Sequence, residues 1–211
     1  KRQALCAPPL GKLAMQTGTV IMWATELQPF LMGILVSVFV GIALTLPISS
    51  AAICAALGLT GLAGGAAVAG CSAQMIGFAV QSYRENGVGG LLSQGLGTSM
   101  LQMPNIVRNP RIWIGPIFAS AITGPLATCV FKLRMDGAAV SSGMGTCGLV
   151  GQIGVFTGWI SDMAAGTKAA ITSFDWLGLL FISFVLPAIL SPIINQGCCR
   201  LGWVKNGDMK L

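Results

Sequence analysis

The sequence predicts an all-α membrane protein: a polytopic helical bundle with Gly-rich broken or re-entrant segments and a possible internal repeat. Only 9% of its 211 residues are charged, 54% are hydrophobic and the mean hydropathy is +0.80, whereas soluble domains carry about 25% charged residues. The apolar residues also form continuous blocks of the roughly 20 residues that a membrane-crossing helix needs. Because these blocks do not alternate between polar and apolar residues, an outer-membrane barrel is excluded.

The charges point to a lipid bilayer as the main partner and not to nucleic acid. Twelve Lys and Arg face six Asp and Glu, so the net charge is +6. A nucleic-acid-binding domain gathers its cations on one face. Here they are scattered between apolar blocks, and no acid or base other than a tyrosine and two thiols interrupts the stretch from Glu26 to Arg84.

Four apolar blocks are predicted to span the membrane. The first follows Trp23 and Glu26, residues suited to the membrane interface, and the third and fourth contain prolines of the kind that neighbouring helices tolerate. The predicted spans are residues 28–46, 66–83, 112–131 and 174–194.

Three further segments are too glycine-rich or too polar for lipid-facing helices. Irregular backbone at membrane depth persists only when it is buried in protein or lines a wet cavity. We therefore interpret these segments as re-entrant elements within one transmembrane domain that comprises residues 1–211; they are residues 50–65, 87–107 and 141–159. Close helix packing through Gly-x-x-x-Gly remains the alternative for the glycines that follow Leu57.

Two of these segments resemble each other at an offset of 87 residues. Residues 51–65 and 138–152 share six of fifteen aligned positions, among them three glycines. In a chain rich in Ala and Gly this similarity is modest. Paired glycine-interrupted segments nevertheless mark the central site of many transporters.

The chain lacks the usual residues of soluble catalysis. Without His no Ser-His-Asp or Cys-His arrangement can form, and no phosphate-binding Gly-Lys-Ser/Thr loop is present. The seven Cys are scattered without a Cys-x-x-Cys pair, which argues against a metal site or a disulfide framework. We predict no catalytic residue, no metal and no cofactor in this chain.

Uncharged polar side chains within the apolar blocks are the candidate substrate-binding residues. Amides and hydroxyls both donate and accept hydrogen bonds, as the hydroxyls of a polyol or sugar require. Helix packing is the alternative role for the hydroxyls, and an interfacial ion pair with Arg84 is the alternative for the one acid. The candidates are Gln94, Thr98, Gln102, Asn105, Gln152, Thr45, Ser49 and Glu85.

Five short motifs resemble a known family. They are residues 45–49 (TLPIS), 61–65 (GLAGG), 103–106 (MPNI), 142–145 (SGMG) and 148–151 (GLVG). With them the chain resembles the membrane IIC component of the bacterial phosphotransferase system, in the perfringolysin O regulator-like (toxin regulator) branch. The resemblance covers residues 27–194 and is to the C-terminal part of a longer protein.

This resemblance implies a multi-pass protein of the bacterial plasma membrane that binds and translocates a sugar. A cytoplasmic IIB-type phosphocarrier would be its partner, and it would be an enzyme only as a permease component of a sugar phosphotransferase. Because basic residues follow the last span, the C-terminus is expected in the cytoplasm. A homodimer is expected to cover polar re-entrant surface. Two alternatives stay open: a membrane sensor or regulator, and a carrier that does not phosphorylate its substrate.

Overall fold

The computed structural model describes residues 21–211, which fold as a bundle of helices. Helical residues make up 78% of the structure, and the described residues contain no β-strand. Its four longest helical segments are Pro29–Thr45, Gly61–Gln81, Pro110–Val130 and Ser173–Arg200. The last three are long and apolar enough to cross a membrane, while Pro29–Thr45 is shorter. The fold is thus an all-α membrane helical bundle, as the sequence predicts.

Two of the long segments change helical type along their length. Pro187 has no N–H for the carbonyl of Ser183, four residues earlier, and the helix widens to π geometry over this stretch. The elements in chain order are α1 Pro29–Thr45, α2 Ser50–Leu57, α3 Gly61–Gln81, α4 Tyr83–Leu92, π Ser93–Gly97, 3₁₀ Ser99–Gln102, α5 Met103–Arg108, 3₁₀ Pro110–Trp113, α6 Ile114–Pro125, π Leu126–Val130, α7 Ala139–Ser142, 3₁₀ Cys147–Leu149, α8 Val150–Ala164, α9 Ser173–Leu180, π Phe181–Val185 and α10 Leu186–Arg200.

Helix α3 forms the centre of the bundle. Nearly all of its residues are buried, and it packs against α1, α6 and α10. Small residues allow this close approach: a Cβ added to Gly70 would overlap the carbonyl of Ser37 on α1. As a result, the polar side chains of α3 (Ser72, Gln74 and Gln81) lie inside the protein.

The segment 50–65 contains a short helix, a turn and the start of α3. Ser49 caps α2 by accepting a hydrogen bond from the N–H of Ala52 at 3.1 Å. Helix α2 ends at Gly58, which has a φ of +62°. Helix α3 then begins at Gly61, so residues 61–65 belong to the same helix as the predicted span 66–83.

The segment 87–107 is broken at three places. Gly87 interrupts α4 with a φ of +58°, Thr98 is extended between the π and 3₁₀ turns, and α5 is only six residues long. Five glycines and Pro104 lie within this segment. Whether this segment enters the membrane from one side stays a prediction.

The segment 141–159 is broken only in its first half. Turns and a 3₁₀ element occupy 143–149, and from Val150 onward a regular α-helix continues to Ala164. Gly145 and Gly148, with φ of +53° and +52°, are the equivalents of Gly58 and Gly61 in the predicted repeat, whose φ values are +62° and +60°. Both copies therefore have the same backbone pattern, a short helix, two left-handed glycines and a longer helix, which supports the internal repeat.

Candidate functional site

Three of the predicted site residues form a chain of amides. Gln102 Nε2 donates to Gln94 Oε1 at 3.0 Å, and Asn105 Nδ2 donates to Gln102 Oε1 at 2.9 Å. At the other end of the chain Gln94 Nε2 donates to Ser82 Oγ at 2.9 Å. Gln94 and Gln102 are fully buried and Asn105 is 7% exposed. The π turn of the broken segment 87–107 packs against α3 near Ile76 and Ala79, and this places Gln94 beside Ser82.

The backbone at the end of residues 201–211, the tail that follows α10, lies against this chain of amides. Gln102 Nε2 also donates to the carbonyl of Met209 at 2.9 Å, and Asn105 Nδ2 donates to the carbonyl of Lys210 at 3.0 Å. The N–H of Met209 donates to Glu85 Oε2 at 2.9 Å. The side-chain donors and acceptors that we predicted to bind a sugar therefore form hydrogen bonds with backbone peptide groups in this structure.

Asn86, which sequence analysis did not single out, completes the contacts to this tail. Its Nδ2 donates to the carbonyl of Met209 at 2.8 Å, and its Oδ1 accepts from the N–H of Leu211 at 2.8 Å. Asn86-Gly87 is a common turn sequence, so the sequence favours a local role for Asn86. In the structure its side chain instead contacts residues more than 120 positions away.

A second polar cluster surrounds Gln74 in the middle of α3. Trp113 Nε1 donates to Gln74 Oε1 at 2.8 Å, and Gln74 Nε2 donates to Ser120 Oγ at 3.2 Å. Thr45 Oγ1 lies 3.4 Å from Gln74 Oε1 and 2.9 Å from Ser99 Oγ. Of these residues, sequence analysis singled out Thr45 alone. An amide within a long uncharged block was the available signal for Gln74.

The two broken segments meet beside α3. Thr146 Oγ1 donates to the carbonyl of Gly95 at 2.6 Å. Gln152 Nε2 donates to Ser72 Oγ at 3.2 Å, while its Oε1 is buried without a hydrogen-bond partner among the described residues. The arrangement brings the predicted re-entrant elements 87–107 and 141–159 into contact at one place.

Two predicted site residues cap short helices. Ser49 is exposed at the start of α2, and Thr98 Oγ1 accepts from the N–H of Met100 at 3.2 Å at the start of a 3₁₀ turn. Both hydroxyls are therefore occupied locally, as is common for Ser and Thr. Glu85 is half-buried and lines a cavity of about 290 Å³.

The described residues contain no cluster of three His, Cys, Asp or Glu side chains that could hold a metal ion. Two cavities are larger than the one that Glu85 lines, and they lie in other parts of the bundle. One of about 560 Å³ lies among charged residues near Lys132 and Asp162, and one of about 410 Å³ is an apolar groove between α1 and Leu59.

These observations define a helical membrane protein whose buried polar side chains are uncharged. The chain matches the family Phosphotransferase system, EIIC over residues 3–211, and it belongs to this family. The family assignment implies a bacterial membrane location, a permease component for a sugar substrate and a IIB partner. No curated protein and no solved structure matches the chain.

Proposed function

We propose that the chain binds and translocates a small sugar-like substrate as the IIC component of a phosphotransferase system. The observation that carries the proposal is the buried chain of amides Gln94, Gln102 and Asn105 within the broken segment 87–107. Uncharged donors and acceptors at this place suit hydroxyl groups, and transporter sites are typically formed by discontinuous helices.

In this proposal the substrate takes the place of the tail backbone. Sugar hydroxyls would accept from Gln102 Nε2 and Asn105 Nδ2 and donate to Glu85, the three groups that contact Met209 and Lys210. Gln152, with its unpartnered Oε1, would add an acceptor after a movement of the segments. Thr45, Ser49 and Thr98 would contribute through their hydroxyls.

Two protein partners are part of this proposed function: a phosphocarrier and a second copy of the chain. A IIB-type phosphocarrier would approach the face that carries residues 200–211, which we place in the cytoplasm. The protein would work as a homodimer.

The test is sugar binding by the purified chain with Gln102 and Asn105 changed singly to Ala. We expect the affinity to fall about tenfold or more for each, because a hydrogen bond to a buried partner is lost. Gln28→Ala is the matched control, since Gln28 is an exposed amide whose side chain caps nothing. Thermal unfolding without sugar separates loss of folding from loss of binding. Unchanged affinity in both variants would contradict the assignment.

A second candidate, a membrane sensor or regulator of the toxin-regulator type, is favoured by the absence of His from the sequence and by the contacts between the chain of amides and the tail backbone.

Uptake into vesicles distinguishes three functions: a phosphotransferase component, a non-phosphorylating carrier and a sensor. A phosphotransferase component accumulates labelled sugar only with phosphoenolpyruvate and its phosphocarriers. A non-phosphorylating carrier transports without them, and a sensor binds sugar without uptake.

A further inference from the structure

A cavity of about 290 Å³ lies at the end of the bundle that carries the tail. It is enclosed by the end of α3, the start of α4, the end of α10 and residues 204–209. Three cations line it: Arg84, Arg200 and Lys205. They come from three different elements, so the fold, and not a local charge run, brings them together.

None of these three cations forms an ion pair within the part of the chain that the structure describes. Glu85 is the one carboxylate in the lining, and its Oε2 accepts the Met209 N–H. The cavity of about 560 Å³ differs: two of its three cations are paired, Arg134 with Asp136 at 3.1 Å and Lys168 with Asp175 at 2.8 Å. The smaller cavity therefore has unneutralised positive charge.

Buried amides and an apolar wall complete the cavity. Gln81 and Asn195 are each 8% exposed, and Gln81 Oε1 is buried without a hydrogen-bond partner in the described structure. Val80, Pro192 and Val204 supply apolar surface. Such a wall lowers the local dielectric constant and strengthens the attraction between the cations and an anion.

We propose that this cavity binds a phosphate group. Two guanidinium groups match the oxygens of a phosphate in a planar, bidentate geometry, and a lysine adds a point charge. The cavity is at the lower limit for small-molecule sites, which begin at about 300 Å³, so it suits a phosphate with a small substituent. The source is either a soluble phosphate or the headgroup of an anionic phospholipid. The inference does not depend on sugar translocation.

The test measures binding of inorganic phosphate by calorimetry to the purified chain in phosphatidylcholine nanodiscs at constant ionic strength. We expect saturable binding, weakened about tenfold or more by Arg84→Gln and by Arg200→Gln, since each removes a charge-assisted contact. Both arginines are exposed, so the variants should fold. Arg108→Gln is the matched control, because Arg108 is an exposed cation near the same face but outside the cavity.

Nanodiscs containing phosphatidylglycerol distinguish the two sources. If a headgroup is the natural ligand, the anionic lipid weakens phosphate binding to the parent protein, and this competition disappears in Arg200→Gln. If a soluble phosphate is the ligand, the lipid leaves its affinity unchanged. Absence of saturable phosphate binding, or an equal loss in Arg108→Gln, would overturn the proposal.

Discussion

Ser37 lies where α1, α3 and α6 pack closely together. Its Oγ donates to the carbonyl of Ser120 at 2.8 Å, so it joins α1 to α6. Gly70 on α3 faces the Ser37 carbonyl, and Gly124 on α6 faces its side chain. The hydrophobic effect does not drive helices together in lipid, because lipid tails are themselves apolar. Close packing of this kind and interhelical hydrogen bonds therefore stabilise a membrane bundle.

Gly70→Ala is therefore expected to destabilise the bundle. The added methyl group would overlap the backbone of Ser37, which cannot rotate away as a flexible side chain can. We expect a loss of about 1–3 kcal/mol, the usual cost of overpacking, measured by thermal unfolding in detergent. Gly197→Ala is the matched control, since a Cβ there meets no atom within 4 Å. Equal stability of the two variants would contradict the close crossing of α1 and α3.

At the scale of elements, the repeated helix–turn–helix units place left-handed glycines in two different surroundings. A Cβ added to Gly58 would meet no atom within 4 Å, whereas a Cβ on Gly145 would lie 2.6 Å from Cys71 Cβ and 2.8 Å from the Ser72 nitrogen. We expect Gly58→Ala to cost about 1–2 kcal/mol through backbone strain alone. Gly145→Ala should cost more, because steric overlap is added. Chemical denaturation of both variants measures the difference, and a smaller effect at Gly145 would argue against this geometry.

The tail depends on Asn86 for two of its hydrogen bonds. Their loss in Asn86→Ala should destabilise the docked tail by about 1–3 kcal/mol, which corresponds to roughly 5- to 150-fold more frequent opening. Lys205 and Lys210 make this opening measurable as faster cleavage by trypsin. The control is Gln196→Ala, which removes an exposed amide. Equal cleavage rates would show that other contacts, such as the buried side chains of Val204 and Met209, hold the tail.

The sequence predicts the elements of this fold better than their contacts. Apolar blocks mark the long helices because length and hydropathy are local properties, and glycines with Pro104 mark the broken segment after Tyr83. The partners of Gln102 and Asn105 lie more than 100 residues away in residues 209–210. No periodicity predicts such a pairing, since backbone groups of any sequence can accept these bonds. Gln74 was not predicted as a site residue, because a single amide in an apolar stretch does not reveal which residues it contacts in the folded protein.

At the scale of the whole molecule, charge is distributed unequally between the two ends. Among the described residues, the end near the tail carries six cations and two acids: Arg84, Arg108, Arg111, Arg200, Lys205, Lys210, Glu85 and Asp208. The other end carries three cations and four acids: Lys132, Arg134, Lys168, Glu26, Asp136, Asp162 and Asp175. Because cytoplasmic segments are enriched in Lys and Arg, this distribution favours a cytoplasmic tail.

Cysteine labelling tests this orientation in intact cells. Asn206 and Ala170 are exposed residues at the tail end and the opposite end. A membrane-impermeant maleimide should label Ala170→Cys from outside, while Asn206→Cys should react only after permeabilisation. The parent chain measures the background from its native thiols, of which Cys129 and Cys199 are exposed. The reverse labelling pattern would place the tail outside the cell, where a cytoplasmic phosphocarrier could not reach the face that we assign to it.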